Sequence, residues 1–79
     1  MYRLTNKVQS ILKDDKVIRR KVASVMGVSE SAIYMSISDK RGGTGRSIAN
    51  NYDAINALID ETGLTIADIR VIDEEPVLQ

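Results

Sequence analysis

The chain has 79 residues, 43% of them hydrophobic and 28% charged, which bounds it to one domain with a single modest core. It contains no cysteine and no histidine, which excludes disulfides, thiolate or imidazole metal sites and every Cys- or His-dependent catalytic arrangement. The formal net charge is zero, but residues 1–46 carry ten Lys and Arg against four Asp and Glu, whereas residues 47–79 carry one Arg against seven acids; only the basic front half is suited to phosphates.

The opening Met1-Tyr2-Arg3-Leu4 lacks the apolar stretch of a secretory signal, and no apolar run approaches a membrane span, so a cytoplasmic protein is expected. Leu4, Val8, Ile11 and Leu12 recur at the spacing of one helical face and predict a first helix over about 3–13. Asp14-Asp15 supplies its stop and a fresh N-cap. Ile18, Val22, Val25 and Met26 share one side of a second amphipathic helix, while Arg19, Arg20 and Lys21 project elsewhere. Gly27 suits a left-handed helix end, and Ser29 is an N-cap for a third helix from about 30 to 38.

Residues 39–46 contain three glycines and three basic side chains and read as a flexible exposed loop. Ser47 is placed to cap a fourth helix, with Ile48, Tyr52, Ile55, Leu58 and Ile59 on its apolar face and Gly63 as its stop. Thr65 precedes Ile66-Ala67-Asp68 in a capping-box-like arrangement, which predicts a short fifth helix over about 66–72. Residues 73–79, with a charge cluster and the only proline, form an acidic C-terminal tail beyond a domain spanning 1–72.

The informative stretch runs from Arg20 to Ser38. Two helices crossing at roughly 90–120° through a turn of about three residues need a small side chain at the contact, a role for Ala23. Gly27 makes the turn, Val28 is expected as its buried hinge residue, and Ile33 locks the third helix onto the second.

Through Ala23, Gly27, Val28, Ser29 and Ile33 the sequence resembles the helix-turn-helix proteins of the phage lambda repressor and Cro family. The family's next apolar position falls at Ser36, and Ile37 is expected to take over that packing. The resemblance implies an all-α fold of about five short helices, a lambda-repressor-like helix-turn-helix domain. It also implies a third helix whose N-terminal end lies nearest the base edges in the major groove.

Ser29, Glu30, Ser31, Tyr34, Met35 and Ser38 then face the bases. Ser31 and Tyr34 can hydrogen-bond base edges or phosphates, Met35 can touch a thymine methyl, and Glu30 can accept from a cytosine amino group. This helix has no Arg, Lys, Asn or Gln, so affinity leans on phosphate contacts from Arg19, Arg20, Lys21, Lys40, Arg41 and Arg46.

The implied function is a sequence-specific double-stranded DNA-binding transcriptional regulator, a repressor or Cro-like protein of a phage or mobile element. It is expected to act as a homodimer joined through the fifth helix and the Val77-Leu78 tail, with the acidic back half away from DNA. The alternative is a helix-turn-helix protein-interaction module, an antitoxin or adaptor, which the uncharged recognition face and zero net charge favour.

Other readings are weaker. The Arg41-Gly42-Gly43-Thr44-Gly45-Arg46 loop lacks the Gly-Lys-Ser/Thr ending of a phosphate-binding loop, and a lone Arg-Gly-Gly is poor evidence for RNA. A winged domain, with residues 32–38 as a strand, finds no partner strand in the helical pattern that follows. Asp14-Asp15 and Glu74-Glu75 are ordinary cap and tail carboxylates, and Tyr2 and Tyr52 are expected to pack. Neither enzyme activity, nor a cofactor, nor a small-molecule ligand is expected.

Overall fold

The second and third helices start and stop at the predicted caps, but the predicted fourth helix divides, and residues 2–4 and 70–72 depart from an all-α arrangement. The computed structural model describes residues 1–38 and 43–73. In chain order these form β1 (Tyr2–Leu4), α1 (Asn6–Asp14), α2 (Lys16–Met26), α3 (Glu30–Ser36), α4 (Arg46–Ala49), α5 (Tyr52–Thr62), α6 (Ile66–Ile69) and β2 (Arg70–Ile72).

The two strands pair antiparallel, with Arg3 opposite Val71. The ladder is extended by Thr5 N donating to Ile69 O and Asp73 N donating to Met1 O, both at 2.9 Å. The predicted first helix therefore begins at Asn6, with the Thr5 hydroxyl accepting from Val8 N, and the predicted fifth helix stops at Ile69. Val71 and Ile72 are β-branched and suit the extended backbone. On its other side β1 is closed: Leu4 N donates to Thr44 O at 2.9 Å, and the Asn50 side chain bonds both Tyr2 N and Tyr2 O. The Arg70 guanidinium lies 3.9 Å from the Tyr2 ring centroid and donates to Ala49 O.

Asp15 ends α1 and starts α2, its carboxylate accepting from Val17 N and Ile18 N. Gly27 ends α2 at φ 69°, and the Ser29 hydroxyl accepts from Ala32 N to start α3. The predicted fourth helix is two helices. Gly45, at φ 71°, leads into α4, and Asn51 caps α5 through its side chain to Ala54 N. Ser47 is thus inside α4 rather than its cap, and its hydroxyl meets that of Ser36 at 2.8 Å. Tyr52 starts α5 and is 79% exposed instead of packing.

The core is one cluster in which Val8 and Leu12 of α1, Val22 of α2, Ile33 of α3, Ile48 of α4 and Leu58 of α5 are buried. Ile37 is fully buried, so it takes the packing role that Ser36 leaves vacant. Among the described residues no helix is long and apolar enough to cross a membrane.

Candidate nucleic-acid interface

Helix α3 is held from one side and open on the other. Ile33 and, just past its end, Ile37 anchor it in the core, whereas Ser31, Ala32, Tyr34 and Met35 are exposed. The chain after it reinforces the anchor, because Gly43 N donates to Ser38 O and Gly45 N to Ser36 O, each at 2.9 Å. This part of the loop is therefore bound to the end of α3, and Gly45 is buried.

Each expected base-facing residue has a distinct placement. Ser29 is exposed, with its hydroxyl committed to the cap. Glu30 is half-buried, and its Oε2 lies 3.2 Å from Arg20 Nε while Oε1 lies 3.8 Å from Arg19 Nε. Ser31 and Tyr34 share a shallow cleft with Arg19 and Glu30. Tyr34 is 50% and Met35 48% exposed. Ser38 is half-buried, at the point where the chain leaves α3.

The cations separate more sharply. Arg19 has a side chain only 17% exposed, and its Nη1 donates to Leu12 O and Lys13 O, both at 2.9 Å. These carbonyls close the last turn of α1, where a cation is favoured. The same guanidinium lies 5.8 Å from the Tyr34 ring centroid. Arg19 therefore ties α1 to α3 rather than projecting toward a ligand. Arg20 is the outward member of the run, with a side chain 60% exposed.

Lys21 is turned to another side, lining a groove with Asp53, Asn56 and Asp60 of α5. Arg46, on α4, bonds through Nε to Asp73. Lys40 and Arg41 lie outside the described residues, as does the Glu74–Gln79 part of the tail. Among the described residues, the basic and acidic halves of the sequence thus meet in space at Lys21 and at Arg46.

Two exposed apolar positions are absent from the sequence-derived site. Val28, expected as a buried hinge, is 41% exposed; its N–H donates to Ala23 O, and left-handed Gly27 turns the chain so that the side chain leaves the core. Ala32 is the other. Its exposure could have been read from Ile33 and Ile37 marking the opposite side of the helix.

No protein-family model, curated protein or solved structure matches the chain. Among the described residues no group of three or more His, Cys, Asp or Glu could hold a metal ion. The exposed side of α3 carries two hydroxyls, a thioether and an alanine methyl, with Val28 in the preceding turn and Arg20 beside it.

Proposed function

We propose that the protein is a sequence-specific double-stranded DNA-binding transcriptional regulator of the lambda repressor/Cro-like helix-turn-helix type, without enzymatic activity. One observation carries this reading: a short helix is anchored by Ile33 and Ile37 while its other side, with Ser31, Tyr34 and Met35, is exposed beside Arg20. A helix held in this way fits the major groove, where base edges are distinguishable. Arg20 supplies a phosphate contact, and Ser31, Tyr34 and Met35 face the bases. Arg19 and Glu30 tie α3 to α1 and α2 beside that side. The resemblance in sequence adds a phage or mobile-element repressor as the specific type.

A domain of this size reads few base pairs, so the working species on DNA is a homodimer on a two-fold operator, with half-sites about one helical turn apart. Ile66 and Ile72, both at least half exposed, lie on the C-terminal segment that would join the copies.

A second reading, an antitoxin- or adaptor-like protein-interaction module, is favoured by one feature: the exposed side of α3 and its turn is rich in apolar groups, and Glu30 neutralises its nearest cation. Titration of a duplex obtained by random-oligonucleotide selection separates the two. A DNA regulator loses affinity as salt rises, with a log–log slope of about −0.9 per phosphate neutralised. An adaptor binds little duplex at any salt.

A further inference from the structure

We infer that two copies of the chain join edge to edge through β2, whose outer side is open, to make a four-stranded antiparallel sheet. The inference rests on the homodimer of the proposed reading and gives it a contact that is measurable without DNA. It starts from the backbone. Thr5 N donates to Ile69 O and Asp73 N to Met1 O, in a register that sets Tyr2 opposite Ile72 and Leu4 opposite Arg70. In an antiparallel pair, residues bonded to the other strand alternate with residues whose N–H and C=O point outward. Tyr2 and Leu4 therefore point outward on β1, and Arg70 and Ile72 on β2.

The two outer edges differ. On β1 the outward groups are satisfied: the Asn50 side chain bonds Tyr2 N and Tyr2 O, Leu4 N donates to Thr44 O, and Leu4 O accepts from Gln9 Nε2. On β2, Arg70 N donates to Ile66 O, but Arg70 O and the N–H and C=O of Ile72 have no hydrogen-bond partner among the described residues. Ile72 is also 63% exposed. Proteins guard an open strand edge with Lys, Pro or other charges. Residues 70–72 carry neither Lys nor Pro, and the Arg70 guanidinium is turned onto the Tyr2 ring and Ala49 O.

A second copy fits this edge because the edge is complementary to itself. A two-fold axis beside Ile72 sets Ile72 of one copy opposite Ile72 of the other, each N–H donating to the other's C=O. Val71 of each copy then stands opposite the other's Asp73, and the backbone groups of both already face their own β1, so none is used twice. The same pairing brings the two exposed Ile72 side chains together on one face of the sheet. With a strand of only three residues, the contact is small. The free dimer is accordingly weak, with a dissociation constant of about 10 μM to 1 mM, and joint binding to a two-fold site would supply the rest.

Sedimentation equilibrium of the free protein from about 10 μM to 1 mM, with hydrogen exchange of the Ile72 amide followed by NMR over the same range, tests the pairing. Dimers are expected, with exchange at Ile72 slowing as concentration rises. Ile72→Pro removes the outward donor without breaking a bond to β1. It should weaken association by about tenfold or more, with circular dichroism and melting temperature little changed; Ile66→Asp, on α6, should weaken it less. Undiminished association of a folded Ile72→Pro variant overturns the pairing, as does a greater loss with Ile66→Asp. If Ile72→Pro does not fold, the wild type decides: exchange at Ile72 that is independent of concentration overturns the pairing. Monomeric protein that still binds a selected duplex overturns the pairing alone, whereas a dimer that selects no duplex overturns only the DNA reading.

Discussion

Glu30 carries the only charge on α3 and sits against Arg20, so its effect on a polyanion depends on whether it repels DNA or merely holds the arginine. At hydrogen-bonding distance and in exposed surroundings the pair contributes little stability, about 0.2–1 kcal/mol. Repulsion of a nearby phosphate by the carboxylate is of similar or larger size, about 1 kcal/mol at 4 Å in water. Glu30→Gln keeps an acceptor for Arg20 but removes the charge. It should raise affinity for nonspecific duplex by roughly fivefold at low salt, with little change in thermal stability; fluorescence anisotropy titration checks this, and unchanged or weaker binding would show that the carboxylate does not face phosphate. Arg19 differs from its neighbour because its guanidinium satisfies two carbonyls at the end of α1. Identical residue types one position apart thus serve packing in one case and surface charge in the other.

At the scale of elements, the presentation of α3 depends on how the following chain is fastened to it. Gly45 is the tightest point: a Cβ there would lie 2.5 Å from Leu4 Cδ1, and the backbone is left-handed at φ 71°. Gly27 shares the left-handed backbone at φ 69° but faces open space. Gly45→Ala should therefore cost about 2–4 kcal/mol, combining backbone strain with overpacking, against about 1–2 kcal/mol of backbone strain alone for Gly27→Ala; denaturant midpoints compare the two. Equal losses would mean that the closure against Leu4 contributes nothing.

Local signals made most helices legible. Asp15 and Ser29 as N-caps, Gly27 and Gly63 as stops, and the replacement of Ser36 by Ile37 in the core all follow from short-range chemistry. The terminal strands did not, because Leu4 fits the apolar stripe of a helix as well as a buried strand position, and pairing residues 2–4 with 70–72 is nonlocal. Tyr52 was misplaced for a related reason. It stands four residues after buried Ile48, which puts both on one side of a continuous helix, but the Asn51 cap restarts the helix and resets the facing. In the candidate site, the apolar anchors of α3 were readable, whereas the partners of Arg19, Glu30 and Lys21 depend on which helices pack together.

At the scale of the whole molecule, the basic and acidic halves of the sequence are in contact at two places among the described residues. Lys21 shares a groove with Asp53 and Asp60, and Arg46 bonds Asp73, so these two cations face acids of the second half of the sequence. On the proposed reading, a domain of this size reads few base pairs, so two copies on one operator would supply useful affinity. Sedimentation with a palindromic selected duplex should give two protein chains per duplex, and one chain per duplex at saturation would remove the dimer. The central claim, that the exposed side of α3 meets DNA, is tested most directly by mapping backbone amide NMR shifts as the selected duplex is added. The largest changes are expected at Arg20, Ser31, Ala32, Tyr34 and Met35, with α5 little affected. Changes concentrated on α5 or α6, with α3 undisturbed, would contradict it.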